Sequence, residues 1–330
     1  MNNSKLINLI LLLSVLFLSS CAKNLVFDPY KANENSDLSL SNIIYKDIPY
    51  DIKTQTKFDI IVPKSRKKVP LVIYIHGGGF TGGDKADVYD KNKYSDEIKQ
   101  LTSKGIAFAT INYRLLGSSD ASNIMSCFND TKRSLQFIRL HAKDFNIDEN
   151  RIGLYGSSAG AGASLWIALS DDMKIANSTD AIDKMSTRVK AIAAFATQST
   201  YDLDKWDDVF SAYSMTDDDV IKIIGVQKVD RFYGVQDKGA YNTSEILAIR
   251  KNIDLAALIS SDDPPIWIEN LQKSDSKPTN LNELYHHYKH GEYLFNNANQ
   301  KGLEVYAHFP AKPFKSQNFI DVVDFFLKYL

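Results

Sequence analysis

Apolar positions change their spacing along this chain, and the changes mark out elements. Residues 43–50 and 57–62 alternate apolar with polar side chains, the two-residue period of a half-exposed strand, and predict an antiparallel edge pair. The runs at 71–75, 106–111, 151–155, 189–195 and 266–269 are apolar at most successive positions, which fits strands covered on both faces. Residues 303–308 make the last predicted strand. Helical spacing appears at 94–103, 130–145, 158–169, 284–300 and 318–330. Strand and helix signals alternate, so the fold class is α/β, with a mostly parallel sheet and helices on both its faces. Residues 200–260 interrupt the alternation. They are helical and aromatic (Tyr201, Trp206, Phe210, Tyr213, Phe232, Tyr233, Tyr241) and predict a cap insertion over the strand ends, its rings packing the cap interior.

The first residues follow a different logic. A polar start with Lys5 precedes an apolar run at 6–18, too short to span a bilayer comfortably, and Leu18-Ser19-Ser20-Cys21 follows. This is the pattern of a bacterial lipoprotein signal, with cleavage before Cys21 and lipid on its sulfur. The expected division is a signal peptide at 1–20, a polar tether at 21–41 and one domain at 42–330. The expected location is the cell envelope, with the membrane as a partner through the lipid. Cys127 is the remaining thiol, so no disulfide is expected within the mature chain.

Composition narrows the function classes. A chain of 330 residues accommodates one large α/β domain with an insertion. A net charge of −1, without a basic run interleaved with aromatics, gives no nucleic-acid footprint. No haem, zinc or phosphate-loop spacing is present, so neither a metal nor another cofactor is expected.

Two motifs carry the chemistry. Gly156-Ser157-Ser158-Ala159-Gly160 follows a strand signal and precedes a helix signal, the setting in which small residues allow a sharp turn that exposes the Ser158 hydroxyl. Upstream, the strand at 71–75 runs into His76-Gly77-Gly78-Gly79-Phe80. Bare glycine backbone lets N–H groups of this loop approach a developing oxyanion, with the Ala159 N–H as their partner. With Gly83-Asp84-Lys85, Asn112-Tyr113-Arg114, Asn129-Asp130 and Asp262-Asp263-Pro264-Pro265 in the same order, the chain resembles the α/β-hydrolase superfamily. The branch it is similar to holds the hormone-sensitive-lipase-like and feruloyl-esterase-like (BD-FAE) carboxylesterases. The resemblance implies an α/β-hydrolase fold and acyl transfer, with Ser158 as nucleophile, the N–H groups of Gly77, Gly78 and Ala159 as oxyanion hole, and a small ester or acylated carbohydrate as substrate. It also implies that Arg114 and Asp130 brace the glycine turn. Gln198 stands where a pocket residue could reach substrate.

The resemblance implies a chain order of serine, acid, histidine, and the last two depart from the family pattern. The family histidine lies in a glycine-rich loop after the last strand, where this chain has Phe309-Pro310-Ala311-Lys312-Pro313-Phe314. His308 is the first candidate base, at the end of that strand, and His287 is the second. Asp275 is the candidate acid, one place off the family position, with Glu283 as the alternative. Tyr285-His286-His287-Tyr288 is a candidate pocket lining. The departure leaves two readings open: a serine carboxylesterase with an unusual triad, or a binding protein on the same fold that lacks the base.

Overall fold

A computed structural model describes residues 27–29, 41–89, 95–236, 240–312, 314–316 and 318–330. The strands are β1 (Asn42–Pro49), β2 (Lys57–Pro63), β3 (Val69–Ile75), β4 (Ala107–Ile111), β5 (Ile147–Ser157), β6 (Ala191–Phe195), β7 (Ile266–Glu269), β8 (Val305–Phe309) and β9 (Phe314–Lys315). Among the described residues they form one sheet in the order β1-β2-β4-β3-β5-β6-β7-β8-β9. The six strands from β4 to β8 in that order are parallel, and β1, β2 and β9 are antiparallel at the edges. The antiparallel edge pair forms and β1 alternates in exposure, but β2 is buried at every position after Lys57 because β1 and β4 flank it and both its faces are covered. β9 is a two-residue strand that the sequence pattern does not announce.

Side chains leave a strand on alternating sides, and two separate core layers result. Leu71, Ile73 and Ile75 of β3 join the layer that holds α2 (Ile124–Leu140), α3 (Ala159–Leu169) and the helices after β6. Val72 and Tyr74 face the other way, against α1 (Ser95–Ser103) and the C-terminal helix. α2 starts six residues before the expected helix because Asn123 caps it, its side chain accepting the Met125 N–H.

Between β6 and β7 stand α4 (Trp206–Val209), α5 (Asp217–Ile224), α6 (Val226–Tyr233), α7 (Ser244–Asn252) and α8 (Leu255–Leu258). Trp206, Phe210, Val220, Val229 and Tyr233 are buried there, on the α3 side of the sheet. The continuous helix expected at 284–300 is two helices, α9 (Leu281–His286) and α10 (Tyr288–Gln300). His287 breaks the run with extended backbone, and its ring caps α10 by accepting the Lys289 N–H at 3.3 Å. The C-terminal helix is α11 (Val322–Tyr329). The expected signal peptide, Cys21 and most of the tether lie outside the described residues. Phe27 of that stretch is seated on the domain, its ring 4.8 Å from that of Phe145.

Candidate active site

β5 ends at Ser157 and α3 begins at Ala159, so Ser158 makes the whole turn. Its backbone sits at φ 53° and ψ −120°, a left-handed conformation that costs about 1–3 kcal/mol and persists only when the surroundings enforce it. Enforcement is visible on both sides. The Ser158 N–H donates to the Phe195 carbonyl at 2.8 Å, and the Gly162 N–H donates to the Ser158 carbonyl at 3.1 Å. Gly160 lies so close to β3 that a Cβ there would sit 2.7 Å from the His76 carbonyl oxygen. The Ser158 hydroxyl makes no capping bond to α3. The first N–H groups of a helix lack intrahelical partners, and Ala159 lines the cavity beside Ser158.

The glycine loop stands opposite. Gly77 packs behind the serine, with a Cβ position 3.4 Å from Ser158 Cβ. Gly79 and Phe80 line the cavity with Ser158. Several bonds hold the loop. His76 Nδ1 lies 2.7 Å from the Gly77 carbonyl, and the Tyr113 hydroxyl donates to the His76 carbonyl at 2.9 Å. The Leu116 N–H donates to the Phe80 carbonyl at 2.7 Å. Arg114 anchors this strap through a two-pronged pair with buried Asp130, Nε to Oδ2 and Nη2 to Oδ1, both at 2.8 Å. These two residues touch the site through the strap they hold in place.

The imidazole beside the serine belongs to His286, at the last turn of α9. Its Nε2 is 2.9 Å from Ser158 Oγ. Its Nδ1 is 2.9 Å from Oδ1 of Asn282, one helical turn earlier. An amide oxygen only accepts, so Nδ1 carries the proton and Nε2 offers its lone pair to the hydroxyl. Burial holds the His286 pKa below its ordinary value. Neither expected base takes this place. His308 Nδ1 lies 3.7 Å from Glu269 Oε1, and strand parity puts both on the face of Tyr306 and Trp267, away from α3. His287 is fully buried, with Nε2 3.2 Å from the Ser276 carbonyl. Neither expected acid meets His286. Asp275 accepts from the hydroxyls of Tyr213 and Tyr288, each at 2.5 Å. Glu283 takes the N–H and hydroxyl of Thr279 at 2.8 Å each. The sequence pattern offers His286 only as pocket lining, not as the base, and does not single out Asn282. Their i, i+4 spacing is the signal, hidden because the helix was expected to start at Leu284.

A polar network ties α9 to the sheet. Gln198 Nε2 donates to the Tyr285 carbonyl at 2.6 Å, and the Tyr201 hydroxyl donates to Gln198 Oε1 at 2.9 Å. Asn270, at the end of β7, donates to the carbonyls of Thr197 and His287 at 3.0 and 3.1 Å. Gln198 thus reaches the cavity wall and also fixes the residue before His286. The cavity beside Ser158 holds about 240 Å³. Trp206, Ile224, Val229 and Phe232 from the cap and Tyr285 from α9 give it apolar walls. No group of His, Cys, Asp and Glu side chains among the described residues has the arrangement of a metal site.

A strained serine between strand and helix, facing a glycine loop and an imidazole on a parallel sheet covered on both faces, places this protein among those with the α/β-hydrolase fold. The BD-FAE family model matches residues 58–275, more than half of the chain, and the chain belongs to that family. It is 32% identical over 119 residues to Gut esterase 1 of Caenorhabditis elegans, covering 34% of this chain and 20% of that protein. It is 32% identical over 107 residues to the fumonisin B1 esterase of Sphingopyxis macrogoltabida, covering 29% of this chain and 19% of that one. The chain thus spans about a fifth of the length of these curated relatives. Among solved structures it is similar to a truncated form of a carbohydrate esterase from gut microbiota. The TM-score is 0.64 at 17% identity, covering 89% of this chain and 98% of that one, a likeness of fold.

Proposed function

We propose that this protein is a serine carboxylesterase whose base, His286, is oriented by an asparagine. The observation that carries the reading is the 2.9 Å contact between Ser158 Oγ and His286 Nε2. His286 Nε2 takes the Ser158 proton as Oγ bonds to the ester carbonyl carbon, and the carbonyl electrons move onto oxygen. The N–H groups of Ala159 and of the glycine loop receive that oxyanion. The intermediate collapses, the alcohol leaves with the proton from His286, and Ser158 carries the acyl group. Water, deprotonated by the same imidazole, then releases the acid and restores Ser158.

Asn282 supplies half of what an aspartate supplies in this chemistry. It fixes the tautomer through its oxygen, but it adds no charge to stabilise the imidazolium. The reading of the chain as a binding protein rested on the missing late histidine, and His286 offers an imidazole from the preceding segment. A cavity of about 240 Å³ favours a short acyl group or a compact sugar ester. A fluorophosphonate should label the wild type and not Ser158→Ala, and Ser158→Ala should lose p-nitrophenyl acetate turnover by at least about a thousandfold. An unlabelled wild type would overturn the reading.

We also propose that lipid on Cys21 anchors the chain at the cell envelope; the support is the apolar run ending in Leu18-Ser19-Ser20-Cys21. Wild-type protein should sediment with membranes, and Cys21→Ser should not. Wild type in the soluble fraction refutes the anchor.

A further inference from the structure

Two cations stand at the rim of the cavity and have no partner among the described residues. Lys228 and Arg231 lie three residues apart on α6, on one face of that helix, and both line the cavity that holds Ser158. Both are exposed. Neither side chain takes part in an ion pair or hydrogen bond among the described residues. The adjacent acid, Asp230, is occupied by the Tyr241 hydroxyl at 2.6 Å. Nearby Asp202 and Asp204 are both taken by Arg250. Arg231 extends from the cap to the strap that supports the glycine loop: its Nη1 comes within 3.6 Å of a Cβ position at Gly117. The cavity thus has apolar walls, a reactive serine on one side and two unneutralised cations at its opening.

Resting on the esterase reading above, we infer that the substrate is an acidic ester, one that carries a carboxylate or a similar anion beside the ester being cleaved. Acylated acidic sugars and half-esters of dicarboxylic acids are of this class. The apolar wall holds the uncharged part near Ser158, and the anion lies between Lys228 and Arg231. The guanidinium fork and the ammonium can each donate to one carboxylate. In the absence of substrate the two cations are solvated and repel each other mildly, so an anion that meets both gains more than it would from either alone.

Two pairs of esters separate charge from shape. On the acyl side, p-nitrophenyl hydrogen glutarate is compared with p-nitrophenyl methyl glutarate. On the alcohol side, p-acetoxybenzoate is compared with p-acetoxybenzamide. In at least one pair the wild type should favour the charged ester by roughly tenfold in kcat/KM at low salt. That ratio should fall toward one in the Lys228→Gln/Arg231→Gln variant, and in the wild type at about 0.5 M NaCl. Because each ratio is taken within one protein, partial loss of folded variant does not change it. Equal or poorer use of the charged ester in both pairs overturns the inference, as does a preference that survives the double substitution. If no ester is cleaved and no fluorophosphonate reacts, the esterase reading fails separately. The rim is then tested by calorimetric titration with p-acetamidobenzoate and p-acetamidobenzamide. Tighter binding of the charged amide, lost in the double variant, still supports the anion site, and equal binding rejects it.

Discussion

In the proposed mechanism a single atom of Asn282 sets the state of the imidazole. Its Oδ1 is the acceptor for His286 Nδ1, and it is exposed rather than buried. Placing a carboxylate there keeps the tautomer and adds a charge that favours the imidazolium. Asn282→Asp should therefore raise the His286 pKa and move the acid limb of kcat/KM to higher pH. At pH 8, where the base is neutral in both proteins, turnover of p-nitrophenyl acetate should rise several-fold. Asn282→Leu removes the acceptor and should cost roughly ten- to a hundredfold in kcat. The checking measurement is a pH–rate profile of the three proteins; three superimposable profiles would remove Asn282 from the mechanism. Burial already keeps the His286 pKa low in the wild type, so its activity should persist into mildly acidic solution.

At the scale of elements, the site is made by how closely β3, β5 and α3 approach. Gly160 touches the backbone at the end of β3, which brings the glycine loop beside Ser158. A methyl group there meets backbone carbonyls, which do not yield as a flexible side chain does. Gly160→Ala should lower stability by about 1–3 kcal/mol and impair catalysis as well, because the two elements must separate. Urea unfolding with activity measured on the folded fraction checks this, and a variant with full stability and full kcat would contradict the packing argument. α9 illustrates the opposite dependence. It is six residues long, too short to persist alone, and is held by its Asn280 cap and the Gln198–Tyr285 bond.

For the molecule as a whole, buried neutral histidines set the response to acid. His290 is fully buried, with Nδ1 facing Ser199 and Nε2 3.1 Å from the Leu284 carbonyl, and burial lowers its pKa from 6.5 to about 3. Burial also lowers the pKa values of His76, His286 and His287. Below the unfolded value near 6.5 the unfolded chain binds protons that the folded chain excludes. The contribution of His290 is thus complete above pH 6.5 and is lost as pH falls toward about 3. Between those two values His290 by itself steepens the loss by up to about 1.4 kcal/mol per pH unit. Urea midpoints at pH 7 and pH 5 should show a marked drop in the wild type and a smaller drop in His290→Gln. Equal drops would assign the acid sensitivity to other groups.

The α/β pattern, the edge pair, the serine turn and the glycine loop are legible in the chain because each rests on short-range chemistry. Strand period, bare glycine backbone and the spacing of small residues around Ser158 all act within a few positions. Parity was legible as well. His308 alternates with Ala307 and Phe309, both of which belong to the core layer of α3, so its side chain leaves on the other face. The positions of the proposed base and its orienter depend on distant groups. The helix break at His287 comes from a ring that caps α10 while its other nitrogen reaches Ser276. The aim of His286 at Ser158 comes from bonds between residues about ninety positions apart, such as Gln198 to Tyr285. Sequence alone determined which serine stands at the strand–helix turn and which glycine loop faces it. Tertiary structure decided which of six histidines meets that serine, because contacts between segments far apart in the chain aim its side chain.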